Sequence, residues 1–331
     1  MLLFAGADAA ELVGPKPPTL RKVGEYHLSE RRQGAAVVAR GKYLYVMGGN
    51  ARAARTDIER FDVDTHQTVR IYDRLIARRY HCAVEDDGNI YIFGGLRPTA
   101  VGEEYCDAVE VFNCAKGTVT QGKPMPSARA HMAAAKVGRK IYLIGGSVPV
   151  EVSFLVQQER AVHDSRYVEQ KGSGTVRANR TNLYDLATDS WADGPPMPTA
   201  RECQAAVVGN FIVVPGGYDG NGKVKSVESL DVQEGVWRTM PGLTRGISAC
   251  SVVFMDHFLF LFGDYDEPSA TITYDLRART SFEIATDFTG VRHSAAVSLG
   301  NLIYVVGGNT GIPGGETNLI QVFALLTEAN G

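Results

Sequence analysis

The feature that most constrains the fold is a short apolar run ending in glycines, which recurs six times along the 331 residues. The copy at residues 141–146 reads Ile-Tyr-Leu-Ile-Gly-Gly, and in the fifth copy Asp264 replaces the second glycine. The first glycines of the six copies are Gly48, Gly94, Gly145, Gly216, Gly263 and Gly307. Because nearly the whole chain is divided at intervals of roughly 50 residues, the sequence predicts a repeat protein.

The repeating unit contains more than the glycines. A second apolar strand ending in aspartate follows most of the pairs, as at residues 182–185, and Trp191 comes six residues after Asp185. A proline turn then occupies residues 195–198, and strands of small residues such as 131–135 begin the units. Four short strands in a period of roughly 50 residues are typical of one blade of a β-propeller.

This order of elements resembles the kelch repeat, and the resemblance covers residues 20–326. It implies an all-β, six-bladed kelch β-propeller with four-stranded antiparallel blades. The sixth unit has a strand at residues 319–326 but no outermost strand after it, and we predict that residues 20–28 supply that strand. Pairing of the N-terminal and C-terminal strands would close the ring and remove exposed sheet edges. We favour six blades over seven.

The predicted domain organisation is an N-terminal extension at residues 1–19, a single propeller at 20–326 and a tail at 327–331. One interval is longer than the others, because 71 residues separate Gly145 from Gly216. The excess predicts a long inserted loop in blade three, at residues 147–180. Two interpretations stay open: a surface loop without a role, or a projection that binds a partner.

Composition restricts the class of protein. Thirty-four basic and 37 acidic residues give a net charge of -3, so no overall field attracts nucleic acid. The sequence has no apolar run of transmembrane length and no basic leader typical of a signal peptide. The five cysteines lack CxxC spacing and are expected to be buried free thiols. We therefore predict a cytoplasmic protein without a nucleic-acid or membrane partner.

Arginine recurs at the entrance to the inner strands. In a closed ring these positions would converge around one mouth of the central channel, and a guanidinium group can bind a carboxylate through two hydrogen bonds. A doubled arginine exceeds what one repeat position requires. Alternatively, backbone carbonyls or a neighbouring acid hold each arginine in place. The positions are Arg31, Arg32, Arg78, Arg79, Arg129, Arg201, Arg245 and Arg292.

The resemblance to kelch adaptors that recognise acidic peptides implies further binding residues just after the glycine pairs. The matching or nearby positions are Asn50, Arg52, Leu96, Arg97, Ser147, Tyr218, Asp219, Tyr265 and Asn309. Leu96 departs from the polar pattern, and Asp264 and Asp266 add negative charge to blade five.

Enzymatic signatures are weaker. His81, His131 and His293 occupy similar places in their repeats, but no acidic or cysteine cluster accompanies them as metal ligands would require. The nitrile-specifier type of kelch protein resembles Glu-x3-Asp-x3-His, and here Val111 stands in place of the histidine after Glu103 and Asp107. We predict no catalytic residue, metal or cofactor.

The sequence thus favours a protein–protein interaction module or scaffold that binds an acidic or polar segment of a cytosolic partner at the arginine-rich mouth. The alternative is a small-molecule enzyme at the channel mouth, such as a sugar mutarotase or epimerase, using His131, Glu202 or Arg201. A third hypothesis gives the binding role to the insertion at residues 147–180.

Overall fold

A computed structural model describes residues 15–161 and 164–326 and shows six four-stranded antiparallel sheets arranged around an axis. The innermost strands of neighbouring sheets contact one another, and the last of them contacts the first, which closes the circle. No helix occurs among the described residues, and hence no helix there could cross a bilayer. Of the predicted extension and tail, residues 1–14 and 327–331 lie outside the described residues.

The strands are numbered along the chain, and each blade is given from its innermost strand outwards. The first strand is β1 (Thr19–His27), and blade one consists of β2 (Ala36–Arg40), β3 (Tyr43–Met47), β4 (Ile58–Asp62) and β5 (Thr68–Tyr72). Blade two consists of β6 (Cys82–Asp86), β7 (Asn89–Phe93), β10 (Val109–Asn113) and β11 (Thr118–Gln121), and the additional hairpin of β8 (Leu96–Thr99) and β9 (Gly102–Tyr105) comes between β7 and β10 in the chain as a sheet of its own. Blade three consists of β12 (Ala133–Val137), β13 (Lys140–Ile144), β16 (Thr181–Asp185) and β17 (Ser190–Asp193), and the inserted strands β14 (Ser147–Ala161) and β15 (Asp164–Arg177) come between β13 and β16 in the chain as a sheet of their own.

The second half of the ring has no insertion. Blade four consists of β18 (Ala206–Val208), β19 (Phe211–Pro215), β20 (Val227–Asp231) and β21 (Val236–Met240). Blade five consists of β22 (Ser251–Met255), β23 (Phe258–Phe262), β24 (Thr271–Asp275) and β25 (Thr280–Glu283). Blade six consists of β26 (Ala295–Leu299), β27 (Leu302–Val306), β28 (Leu319–Leu326) and, as its outermost strand, β1.

The ring is closed by the pairing of its first and last strands. β1 runs antiparallel to β28, from Thr19 opposite Leu326 to His27 opposite Leu319, with an irregularity between Lys22 and Gly24. This pairing completes the fourth strand of blade six. The predicted closure and the predicted number of blades are therefore confirmed.

The core lies between the blades. Strand β23 is buried along its whole length, as expected for a strand covered on both faces by neighbouring sheets. Phe260 and Phe262 of blade five pack in one cluster with Ile303, Val305 and Phe323 of blade six. Burial of such side chains contributes roughly 1.5–3 kcal/mol each, which makes the contacts between blades a main source of stability.

The glycines that end the second strands permit a close approach between blades. Gly94 has a φ of +60°, and a Cβ atom there would lie 2.5 Å from the carbonyl oxygen of Arg129, at the entrance to the next blade. A side chain would therefore be strained by its backbone conformation and would collide with the neighbouring chain. This explains why a glycine follows the second strand in each repeat.

The insertion in blade three differs from the predicted loop. Residues of β14 and β15 form a two-stranded antiparallel hairpin, with Ser147 opposite Arg177 at its base. The hairpin is a separate sheet from blade three, whose four strands are complete without it. Valine recurs in the sequence of β14, and β-branched residues favour extended strands, so the segment had a strand signal that its polar C-terminal half obscured.

Candidate functional site at the axial mouth

Backbone hydrogen bonds around the axis place the start of each inner strand. The N–H of Tyr80 donates to the carbonyl of Gly34 at 2.7 Å, and the N–H of His131 donates to the carbonyl of Tyr80 at 2.9 Å. Equivalent bonds join Cys203 to His131, Gly34 to His293 and His293 to Ala249. Side chains flanking these positions are therefore held close together around the channel.

A cavity of about 710 Å³ opens at this mouth, within the size range of ligand pockets. Its lining includes basic, acidic and aromatic side chains from several blades. These are Arg79, Arg177 and Lys223, then Glu202 and Asp266, and then Tyr80, His131, Tyr218, Tyr265 and His293.

Of the predicted binding arginines only Arg79 is part of the cavity lining, and four others are buried away from it. Arg32, Arg78, Arg129 and Arg201, which we call the inter-blade arginines, are 0–1% exposed. Arg32 donates from Nη1 to the carbonyl of Gly48 at 3.0 Å and forms ion pairs with Asp57 and Glu59. The prediction that these four bind a partner is therefore wrong, because their guanidinium groups are enclosed by the protein.

The other three inter-blade arginines repeat the arrangement. Arg78 pairs with Glu110, Arg129 donates to the side-chain oxygen of Asn182 at 2.6 Å, and Arg201 pairs with Glu228 at 3.1 Å. Their backbones also contact the preceding blade, since the carbonyl of Arg78 accepts a hydrogen bond from the N–H of Gly49 at 2.9 Å. Each of these arginines thus ties its own blade to the one before it.

Blades five and six replace this polar arrangement. Ile247 stands at the position of the inter-blade arginine in blade five, and Ile272 stands at the position of the acceptor, in the same apolar cluster. In blade six, Val291 stands at the arginine position, and the side chain of Gln321 instead forms hydrogen bonds with the backbone of Thr289. The sequence therefore carried a signal that was missed: arginine occurs only where glutamate or asparagine stands in the third strand of the same blade.

A second set of arginines lies at or beside the cavity, where Arg79 and Arg177 belong to the lining and Arg292 lies outside it but contacts the lining residue Tyr265. Arg79, Arg177 and Arg292, which we call the mouth arginines, each place the guanidinium carbon over a tyrosine ring. The distances to the ring centroids are 4.8 Å for Arg79 over Tyr80, 4.8 Å for Arg177 over Tyr218 and 4.0 Å for Arg292 over Tyr265. Such stacking orients a guanidinium group and leaves its edge available for an anion.

Two of the mouth arginines have carboxylate partners. Arg79 donates to Glu103 at 2.7 Å, and Nε of Arg177 lies 3.0 Å from Oε1 of Glu202. Arg292 donates from Nη1 to the backbone carbonyl of Tyr265 at 2.6 Å and has no carboxylate partner within residues 15–161 and 164–326. Arg292 is therefore the mouth arginine whose charge is left uncompensated.

Two histidines at the mouth are neutral at pH 7. Burial lowers the pKa of His131 to about 3, and the neighbouring His293, Arg79 and Arg177 act in the same direction. Burial, together with Arg292 and Arg79, lowers the pKa of His293 to about 4.

The Nδ1 atom of His131 lies 3.9 Å from Oε2 of Glu202, which is longer than a hydrogen bond. Burial also raises the pKa of Glu202, although Arg177 opposes the shift.

Comparison with known proteins agrees with this geometry. The sequence profile of the KLHDC2/KLHL20/DRC7 Kelch-repeats domain matches residues 34–264. The chain belongs to the kelch-repeat family. Kelch propellers are often protein-interaction modules, and this is the functional class to which the fold points.

Three relatives illustrate the range of the family. The chain is 31% identical to Kelch-like protein terF of Aspergillus terreus, over 70% of this chain and 50% of that protein. It is 26% identical to an N-(sulfonatooxy)prop-2-enimidothioate sulfolyase of Thlaspi arvense, over 63% of this chain and 64% of that protein. It is 22% identical to mouse Kelch-like protein 35, over 70% of this chain and 35% of that protein. This kelch chain thus aligns with between 35% and 64% of the length of these relatives.

The remaining predicted residues are divided among several places on this kelch propeller. Arg31 and Arg52 are exposed and line a second depression beside Glu30 and Arg55, apart from the axial cavity. Arg97 is exposed on the hairpin β8–β9, where it pairs with Glu104.

Arg245 lies outside the cavity lining and pairs with Asp264, Glu267 and Glu283. Tyr218 and Tyr265 line the cavity, and beside Tyr218 the side chain of Asp219 accepts hydrogen bonds from two backbone N–H groups of its own turn.

The polar residues after the glycine pairs serve mainly the backbone. Asn50, Ser147 and Asn309 form isolated β-bridges with the turns that enter the inner strands, and Leu96 forms one with Arg79. Ser147 is fully buried, so it presents no side chain to a partner. Arg177 was missed by the sequence analysis, because only the pairing of β14 with β15 brings it beside Ser147 and the cavity.

No group of three or more histidine, cysteine, aspartate or glutamate side chains that could hold a metal ion occurs among residues 15–161 and 164–326. Val111, which stands where the specifier-type motif has histidine, lies in β10 opposite Tyr91. The five cysteines are free thiols.

Proposed function

We propose that this kelch propeller is a protein-interaction module that binds an acidic or polar segment of a partner protein at the mouth arginines. The observation that carries the proposal is that Arg79 and Arg177 line one cavity and Arg292 lies beside it, each stacked on a tyrosine. Stacked arginines next to aromatic rings are the residue types that contribute most at protein interfaces. The five free cysteines support a partner in the reducing cytoplasm.

The proposed binding surface contains fewer residues than the sequence predicted. The inter-blade arginines are excluded by burial, whereas Arg79, Arg292, Tyr218 and Tyr265 remain and Arg177 is added. An acidic segment would approach along the axis, where the ring of blades holds these side chains on a rigid scaffold. A preformed surface of this kind binds with little conformational cost.

The sequence also left open a sugar mutarotase or epimerase using His131, Glu202 and Arg201. Arg201 is an inter-blade arginine and cannot reach a ligand, and His131 is not hydrogen-bonded to Glu202. We therefore keep the interaction module as the single proposed function.

The test compares affinity capture by the wild-type chain with capture by the double variant Arg79→Ala/Arg292→Ala. Arg238→Ala is the matched control, because Arg238 is also exposed and ion-paired but lies on the outermost strand β21. We expect the double variant to lose the proteins that the wild type and the control retain, and we expect added salt to weaken their capture. Retention of every captured protein by the double variant would overturn the proposal.

A further inference from the structure

The charge distribution at the mouth limits how much negative charge a ligand can bring. Glu103 and Glu202 already compensate Arg79 and Arg177, so Arg292 offers the one uncompensated positive charge among the mouth arginines. A second carboxylate on the ligand would have to displace one of these glutamates or stay unpaired beside it. The free-energy cost of leaving a partly buried carboxylate unpaired is greater than the free energy gained from its attraction to a nearby arginine.

The part of the cavity at Asp266, which follows Tyr265 in the chain, does not attract an acidic run either. Lys223 lies there, but its ammonium group pairs with Asp264 at 2.6 Å and with Asp266 at 2.9 Å. Asp266 is exposed and faces the same cavity. Arg245 also pairs with Asp264, and with Glu267 and Glu283, so four carboxylates surround two cations and this part of the surface is net negative. A polyacidic segment would be repelled there.

The cavity lining also contains a group of neutral rings, which we call the aromatic wall: Tyr80, His131, His293 and Tyr265. The ring of Tyr80 stacks on the ring of His131 with 4.0 Å between their centroids, and its centroid lies 5.0 Å from that of His293. Tyr265 meets His293 edge-on at 6.1 Å, and Tyr265 is half exposed. Both imidazoles are uncharged at pH 7 because burial depresses the pKa of each.

The aromatic wall and Arg292 are adjacent, because Tyr265 belongs to the wall and the guanidinium carbon of Arg292 lies 4.0 Å from the centroid of the Tyr265 ring. A ligand placed here would meet one positive charge and, directly beside it, a set of ring faces and edges. Aromatic side chains pack favourably in such offset and edge-on arrangements.

We propose that the recognised segment carries a single carboxylate next to an aromatic side chain, with the carboxylate bound by Arg292 and the aromatic ring packed against Tyr80 and His293. This inference rests on the proposed function and specifies its ligand: an acidic–aromatic pair rather than an acidic run.

The first experiment selects random peptides displayed on phage against the full chain. We expect enriched peptides to contain one aspartate or glutamate adjacent to phenylalanine, tyrosine or tryptophan. Enrichment of acidic runs, or of peptides without an acidic residue, would overturn the inference. Selection without any enrichment would also count against it.

The second experiment measures the affinity of one enriched peptide by fluorescence anisotropy. Replacing its acidic residue by the amide, or its aromatic residue by alanine, should weaken binding to the wild type about tenfold each. In Arg292→Gln the acid and amide peptides should bind equally, whereas Arg238→Gln should discriminate as the wild type does. The inference would be refuted if Arg292→Gln still bound the acid peptide more tightly than the amide peptide. It would also be refuted if the wild type bound a tetraglutamate peptide more tightly than the enriched peptide.

The two proposals fail in different ways. If native partners are lost by Arg79→Ala/Arg292→Ala but the peptides show no acidic–aromatic preference, the inference fails and the interaction module stands. If the double variant captures the same proteins as the wild type, both fail. Thermal unfolding of each variant verifies that the ring is intact.

Discussion

Arg78 and Arg79 are neighbours in the chain, yet Arg78 is enclosed with Glu110 and the carbonyl of Gly94, whereas Arg79 stays partly exposed beside the axial cavity. The turn that enters an inner strand points one side chain into its own blade and the next towards the axis. Tyr80, with a φ of 55°, then completes the change of direction. The same residue type therefore stabilises the ring at one position and is available to a partner at the next.

The largest effect should come from breaking an inter-blade pair. Arg201→Ile leaves Glu228 buried without its cation, and we expect it to lower the free energy of unfolding by about 3–5 kcal/mol. Adding Glu228→Ile copies the apolar pair Ile247 and Ile272 of blade five and should restore most of that loss. Urea unfolding measures both. Arg79→Ala is the control and should cost less than about 1 kcal/mol. If Arg79→Ala and Arg201→Ile lowered the free energy of unfolding equally, the distinction between mouth arginines and inter-blade arginines would be wrong.

A smaller effect should appear when pH is lowered. Burial, reinforced by Arg78, lowers the pKa of His81 from 6.5 to about 3. The unfolded chain therefore binds a proton at His81 more readily than the folded chain does, so stability is complete above about pH 6.5 and falls as pH decreases towards 3. Between pH 7 and pH 5 the loss should be on the order of 1–2 kcal/mol for this histidine. Urea unfolding of His81→Gln should show a flatter pH dependence, and an unchanged slope would contradict the assignment.

At the mouth, removing a stacking ring should affect binding and not stability. Tyr265→Leu takes away the ring beneath Arg292 but leaves the backbone carbonyl that holds Nη1. Cation–π contacts at exposed sites contribute about 0.5–1 kcal/mol, so peptide affinity should fall about two- to fivefold. Anisotropy titration measures this change. A shift in unfolding midpoint as large as that of Arg201→Ile would show that Tyr265 belongs to the core.

The smallest effect on stability should follow from shortening the inserted hairpin. Residues 151–173 can be replaced by an Asn-Gly turn between Val150 and Gly174, which are paired, so that Arg177 keeps its place. Because the hairpin is a sheet of its own, we expect a change below about 1 kcal/mol in urea unfolding. Retained partner binding would assign recognition to the mouth arginines. Lost binding would instead favour the hypothesis that the insertion carries the binding role.

The fold was readable from the sequence because its determinants are local and repeated. The glycines at the ends of the second strands, such as Gly94, are required by backbone conformation and by close approach, so they recur at each blade. The closure by β1 could also be inferred, since blade six lacked a fourth strand in the sequence order. Because the glycine and strand patterns recur in every unit, they can be recognised in the sequence without knowledge of which distant residues they contact.

The site was only partly readable. Arg79, Arg292, Tyr218 and Tyr265 were among the predicted residues, but so was Arg32, because the position of an arginine in this turn does not by itself show which of two adjacent side chains enters the blade. Arg177 could not be found, since its place depends on the register of β14 with β15. The pairing of arginine with glutamate inside a blade, as in Arg201 and Glu228, was visible in the sequence and would have separated the two sets.

From the pairing of β1 with β28 we expect a particular order of events during folding. Thr19 finds its partner Leu326 only after every intervening repeat is present, which makes this the contact of greatest sequence separation in the ring. Contacts between distant parts of a chain form slowly because the loop entropy is lost before the contact is gained. We expect the first five blades to assemble as they are synthesised, while β1 stays unpaired. The pairing of β1 with β28 then closes the ring as the last step.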